Sequence, residues 1–206
     1  MINQVRSLKV PIWVQKQPTQ VSTKKERKRM QLIKTTIPNF TLRFATEADV
    51  ALILRFIKEL AEYEKMSDEV VATEAILRDS LFVRKAAEVI IGEYEGNPVS
   101  FGLFFPNFST FLGRPGIYLE DLYVRPEMRG KGIGKLMLAY LAKLAKERNC
   151  GRLEWWCLDW NEPSYEFYIR MGAEPMDEWT VFRVCDQALT DLAERFETSE
   201  ASSCQP

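Results

Sequence analysis

The sequence predicts a mixed α/β fold, a central, largely antiparallel sheet with flanking helices. Three observations predict it. Between residues 87 and 124, short alternating apolar and polar segments are separated by turn residues, as in an antiparallel meander. Two longer segments, 50–63 and 135–148, repeat apolar residues at helical spacing instead. The last third then alternates strand-like with helix-like segments.

The elements follow in order. Thr41-Leu42-Arg43-Phe44-Ala45 alternates as a strand. Thr46-Glu47-Ala48-Asp49 has the form of a capping box, in which the Thr46 hydroxyl and the Asp49 carboxylate cover amides that a first helical turn leaves unpaired. Val50, Ile53, Leu54, Ile57, Leu60 and Ala61 keep to one face of a helix reaching about Tyr63. Thr73 caps a shorter helix to about Phe82. Strands are predicted over 87–94 and 99–105, joined by a turn at Glu95-Gly96-Asn97. A loop, 106–116, precedes a third strand over 117–124, which Pro126 ends. Leu136, Leu138, Leu141, Leu144 and Ala145 mark a helix over 135–148. A strand over 152–158, a helix over 163–171 closed by Gly172, a strand over 180–184 and a helix capped by Asp186 and running to about Phe196 complete the prediction.

A chain of 206 residues suits one domain with a substantial core. The net charge of −1 gives no global field that points to nucleic acid or membrane, and neither is expected as a partner. Charge is unevenly placed. Residues 1–40 hold nine Lys/Arg against one acid, Glu26, which leaves nineteen basic and twenty-eight acidic residues in 41–206. Residues 1–40 therefore read as a basic, mobile extension, with an organelle-targeting segment as the alternative and Met30 as a second possible start. Residues 41–196 read as the folded domain and 197–206 as a flexible tail. An acidic body is compatible with cationic substrates. Cys150, Cys157, Cys185 and Cys204 show no paired spacing, and no run of about 18 apolar residues spans a bilayer, so a reduced cytoplasmic protein is expected. Histidine is absent, which excludes Ser-His-Asp and Cys-His nucleophiles and His-rich metal sites within the chain; no metal is expected.

The strongest local signal is Arg129-Gly130-Lys131-Gly132-Ile133-Gly134-Lys135, between a predicted strand and a predicted helix. Glycines allow a tight turn that presents several amides to one anion, and the helix N-terminus adds free N–H groups and a positive dipole. A diphosphate suits such a loop. A phosphate-binding loop of the Gly-Lys-Ser/Thr type is excluded by Leu136, which offers magnesium no hydroxyl. A dinucleotide fingerprint is excluded by Lys135 at its third glycine. What remains is Arg-x-x-Gly-x-Gly, from Arg129 through Gly132 to Gly134.

That pattern resembles the coenzyme A loop of the GNAT acetyltransferase superfamily, and residues 41–185 resemble a complete domain of it. Four stretches carry the likeness: Ile57–Glu64, Tyr118–Val124, the glycine loop, and Trp160-Asn161-Glu162-Pro163-Ser164 with Phe167-Tyr168 and Gly172-Ala173. They are most similar to the diamine, or spermidine/spermine N1-, acetyltransferase branch. The resemblance implies a GNAT fold, acetyl-CoA as cosubstrate, a small amine as partner and a homodimer. It implies that the backbone of Leu122, Tyr123 and Val124 pairs with the pantetheine arm, that Arg129 to Lys135 hold the diphosphate, and that Asn161 and Ser164 contact the coenzyme. Tyr168 would lie beside the coenzyme sulfur and Glu120 beside the attacking amine, with Tyr63, Glu64, Asp121, Asp177 and Glu178 around the amine. Departures cluster at the amine pocket: Asp177-Glu178-Trp179 replaces Glu-Gly-Trp, Phe111 stands for a tryptophan, and Glu154-Trp155-Trp156 is bulky.

The chemistry this implies is direct acetyl transfer to a primary amine of a polyamine, a diamine or a lysine-like amino acid. An alkyl ammonium of pKa about 10.4 cannot attack a thioester, and passing its proton to a carboxylate of pKa about 4.3 costs about 8 kcal/mol. Glu120 is therefore expected to orient the amine and drain its proton through water, its own pKa raised by partial burial. Tyr168 is expected to hydrogen-bond the developing thiolate. Alternation along the strand sends Asp121 to the face opposite Glu120 unless a bulge intervenes. Two alternatives stand beside this reading: acetylation of a protein or peptide amine, and a coenzyme A-binding regulator without catalysis.

Overall fold

The computed structural model describes residues 32–201. The extension over 1–31, with Met30, and the end of the tail beyond 201 lie outside the described residues. The chain divides between Cys157 and Leu158 into two units, each described by itself.

The first unit is built on one six-stranded sheet with strands in chain order, β1 (Ile33–Lys34), β2 (Phe40–Phe44), β3 (Glu88–Tyr94), β4 (Asn97–Ser109), β5 (Arg114–Val124) and β6 (Leu153–Glu154). Every neighbouring pair is antiparallel except β5 and β6, which are parallel. The mixed, largely antiparallel sheet expected from the sequence is the one formed. Helix α1 (Val50–Glu64) and helix α2 (Glu74–Arg78, continued by a π-turn over Asp79–Val83) pack on one face. Val50, Ile53 and Phe56 of α1 meet Leu77, Leu81, Val89, Ile91, Phe101 and Tyr123 there. Phe56 stacks on Phe101 with ring centres 5.3 Å apart. Helix α3 (Ile133–Glu147) packs against β5 and β6 and buries Ile133, Met137, Leu138, Leu141, Leu144 and Ala145.

The capping box forms as its sequence predicts. The Asp49 carboxylate accepts from the Thr46 amide at 2.8 Å and the Thr46 hydroxyl at 2.9 Å. Arg43 adds a two-pronged contact, both nitrogens 2.8 Å from Asp49, while its Nε donates to Glu93 at 2.8 Å. One guanidinium thus ties β2 to β3 and to the start of α1.

Five expectations are corrected. Strand β1 lies outside the predicted elements, because a two-residue strand is too short to show alternation. The expected loop over 106–116 is mostly hairpin: β4 and β5 stay paired to Ser109 opposite Arg114. Beyond Phe104, β4 has left β3 and among the described residues has only β5 as neighbour, and an edge without a partner strand there tolerates Pro106. The expected strand over 152–158 enters the ladder only at Leu153 and Glu154. In the second unit, residues 180–184 join no ladder among the described residues, since apolar alternation makes a strand only where an edge offers hydrogen bonds. That unit contains α4 (Glu162–Arg170), closed where Gly172 donates to Ile169, and α5 (Asp186–Ala201). Leu189 donates to the Cys185 carbonyl, so Cys185 rather than Asp186 holds the capping position of α5.

Candidate active site

β5 is the spine of the candidate site in the first unit. It pairs with β6 only at Ile117 and Tyr118, and from Leu119 to Val124 that edge carries no strand among the described residues. On its other side Leu122, Tyr123 and Val124 pair with Gly102, Phe101 and Ser100. The Tyr123 side chain is buried toward Phe56, 6.2 Å between ring centres, which leaves backbone as what this segment offers a ligand.

After β5 a 3-10 turn over Pro126–Met128 leads into the glycine loop, and buried Met128 and Ile133 anchor its two ends. Gly130 and Gly132 have φ of +75° and +80°, a region where a side chain is strained. No atom outside the immediate chain lies within 4 Å of where a Gly130 Cβ would be. Gly132 holds the N-cap position of α3 without a side-chain cap, and the first helical bond runs from Leu136 to Gly132. The amides of Ile133, Gly134 and Lys135 therefore precede the helical ladder and point along its axis. These amides, the dipole behind them and the exposed Lys135 form an anion cradle of the kind a diphosphate needs. The two other basic residues of the loop are engaged with protein. Lys131 Nζ is 3.4 Å from Met128 sulfur and 5.8 Å from the Tyr94 ring centre. Arg129 Nε donates to the Val124 carbonyl at 2.9 Å, and its guanidinium lies 4.5 Å from the Tyr63 ring centre.

The carboxylates converge because the strand is irregular. Leu103 pairs with Asp121 and Phe104 with Leu119, so Glu120 is an extra residue in β5. Such a bulge turns two successive side chains toward one face. Asp121 then shares the α1 face with Leu103, Phe101 and Tyr123, and Glu120 is not sent away from it. Burial, then the negative charges of Glu120 and Glu64, push the Asp121 carboxyl up to about 7. Burial also raises Glu64, at the end of α1. The partial burial expected of Glu120 falls on Asp121 instead, since Glu120 is exposed. Alternation alone misses this, and a bulge leaves no mark in apolar periodicity.

The remaining predicted residues lie in the second unit. Asn161 is buried at the start of α4, where its carbonyl accepts from the Ser164 and Tyr165 amides, each at 3.0 Å. Ser164 is half-buried. Tyr168 is half-buried beside Phe167, ring centres 5.2 Å apart. Asp177 and Glu178 are exposed and outside any helix or ladder.

Residues 53–173 match the model of the Acetyltransferase (GNAT) family. The chain is 40% identical over 164 residues to thialysine N-epsilon-acetyltransferase of Bos taurus, covering 74% of this chain and 96% of that protein. It is 31% identical over 194 residues to L-ornithine N5-acetyltransferase of Arabidopsis thaliana, covering 72% of this chain and 85% of that one. Among solved structures, an integron cassette protein from the mobile metagenome of V. cholerae superimposes with a TM-score of 0.64 at 24% identity, over 75% of this chain and 98% of that one.

Proposed function

The chain belongs to the GNAT family of acetyltransferases, and from that premise we propose that it acetylates the primary amine of a small cationic molecule. The observation that carries this reading is the bulge in β5, which gathers Glu120 and Asp121 on the face where α1 ends in Glu64. Three carboxyl groups around one space suit an ammonium-bearing substrate, and they disfavour a neutral or anionic one. The relatives point the same way, since one is named for the ε-amine of thialysine and another for the N5-amine of ornithine. A lysine-like amino acid, a diamine and a polyamine all carry such an amine beside further polar or charged groups.

Acetyl-CoA, the cosubstrate of the family, supplies an acetyl group already activated as a thioester. The residues of the first unit suit it: backbone at Leu122 to Val124 that pairs with no strand on its β6 side among the described residues, and a cradle of loop amides and Lys135 for the diphosphate; in the second unit the family resemblance assigns Asn161 and Ser164 to further polar contacts. Glu120, exposed at the bulge, orients the amine. Asp121 holds the proton. Passing a proton from an alkyl ammonium of pKa about 10.4 to an ordinary glutamate costs about 8 kcal/mol. Passing it to a carboxyl raised to about 7 costs about 4.6 kcal/mol. Tyr168 acts on the leaving side, where its hydroxyl hydrogen-bonds a developing thiolate.

The test is an amine panel of thialysine, lysine, ornithine, putrescine and spermidine with acetyl-CoA, read by thiol release. Turnover on at least one free amine is expected. Turnover confined to peptide amines, or none at all in protein that binds coenzyme A, would overturn the reading.

A further inference from the structure

Arg129 opens the glycine loop, and the sequence places it with the diphosphate. Its guanidinium is occupied elsewhere. The Nε edge donates to the carbonyl of Val124, the last residue of β5, at 2.9 Å. The guanidinium carbon lies 4.5 Å from the ring centre of Tyr63 and 5.7 Å from that of Tyr123. Tyr63 is the penultimate residue of α1, a helix outside the loop. One side chain of the loop therefore touches two elements, β5 and α1, and it does so in the two ways a planar guanidinium allows, edge to an acceptor and cation against an aromatic ring.

A neighbouring contact shows that this region is fastened to α1 twice. Arg125, four residues earlier, binds Glu59 through Nη2 at 2.8 Å and Nε at 3.1 Å, and lies 5.2 Å from the Phe56 ring centre. Arg125 holds the middle of α1 against the end of β5, and Arg129 holds the last turn of α1 against the start of the loop.

We propose that Arg129 is a positioning residue that joins the coenzyme loop to the amine wall: held between the Val124 carbonyl and the Tyr63 ring, it fixes where the Gly130 and Gly132 turns stand relative to β5. Coenzyme affinity then depends on Tyr63, a side chain of the amine wall. This rests on the reading above for what the loop binds. A lysine does not replace Arg129, because a point charge on a flexible stem lacks the edge that serves Val124 while meeting Tyr63.

Calorimetric titration of the full chain with coenzyme A tests this, with no amine required. Tyr63→Leu is expected to weaken coenzyme A binding by about three- to tenfold, while Tyr63→Phe, which keeps the ring, retains wild-type affinity. Arg129→Lys weakens binding as well, and the double variant Tyr63→Leu/Arg129→Lys binds no worse than Arg129→Lys alone, because both remove one link. Wild-type affinity in a folded Tyr63→Leu variant, equal losses in Tyr63→Leu and Tyr63→Phe, or losses that multiply in the double variant would each overturn the inference while leaving the functional reading intact. A folded wild type that bound no coenzyme A would remove the functional reading, and this inference with it.

Discussion

Glu120 and Asp121 are consecutive in β5, yet the strand does not send them to opposite faces, because Glu120 is an added residue between Leu119 and Asp121 in the pairing with β4. The two carboxyls differ in setting. Glu120 is exposed, while Asp121 is half-buried and raised to about 7 by burial and by the charges of Glu120 and Glu64. In the unfolded chain Asp121 ionises near the ordinary value of about 4. The folded state therefore binds more protons between about pH 4 and pH 7, and stability falls as pH rises through that window. Asp121→Asn is expected to unfold at higher temperature than the wild type at pH 8, by a few degrees for about 1 kcal/mol, with the gap closing toward pH 4. Thermal melts across pH check this. An equal gap at both ends of the range would show that Asp121 does not titrate as its surroundings imply. The same variant should lose the limb near pH 7 from its activity profile.

Glu120→Gln keeps the shape of the side chain and removes its charge. Its pH–rate profile is expected to move toward alkaline values, because without the Glu120 charge to orient the ammonium beside Asp121 more of the amine must arrive already neutral. A profile that stays where it was counts against a role for Glu120 in orienting the amine.

Much of the local geometry around the candidate site was legible in the sequence, and the physical reasons for the rest can be named. The glycine loop was legible because its chemistry is local: Gly130 and Gly132 need positive φ, and both have it. Helix α1 and its Thr46–Asp49 cap were legible because periodicity and capping act within a few residues. The bulge at Glu120 was not, since it exists only in the register between β5 and β4. Nor was the engagement of Arg129 with Tyr63, which joins residues 66 positions apart in sequence through the packing of α1. The β4–β5 hairpin was hidden because Pro106 interrupts it, and that break is tolerated only at the β4 edge that has left β3, which shows in the register and not in the sequence.

Tyr168→Phe removes one hydroxyl from α4 and keeps the ring that packs beside Phe167. Turnover is expected to fall by about 10²-fold or more with coenzyme A affinity unchanged, since the hydroxyl proposed to act on the leaving thiolate is lost and nothing else. Steady-state kinetics with calorimetry of coenzyme A binding separates the two quantities. Undiminished turnover would remove Tyr168 from the mechanism.

Arg43 carries a structural prediction far from the chemistry. Burial alone would raise the Asp49 carboxyl, but hydrogen bonds from Arg43 and from Thr46 outweigh it and hold Asp49 below its ordinary value. A depressed carboxyl contributes stability that is present above its unfolded pKa and is lost as pH falls through its folded one. Arg43→Met strands both Asp49 and Glu93, so it is expected to cost about 2–3 kcal/mol at pH 7, read by urea titration. The variant should also lose less stability than the wild type on acidification below about pH 4. A cost below about 0.5 kcal/mol would mean that the three groups are screened like a surface pair.

Gly132→Val separates loop geometry from loop charge. The residue sits at φ +80°, where a β-branched side chain is strained by about 1–2 kcal/mol or more. Space is not the obstacle, because the nearest atom to a Cβ there, Ile37 Cδ1, is 3.9 Å away. The strain is therefore relieved by moving the backbone, and the backbone is what the loop is proposed to offer a diphosphate. Coenzyme A affinity is expected to fall by about tenfold or more, while the fold, held by buried Met128 and Ile133 on either side of the loop, persists. Calorimetry on protein with an unchanged circular dichroism spectrum reads the effect. Full affinity in that variant would mean that the diphosphate is held by the side chain of Lys135 and not by the amides between Arg129 and the helix.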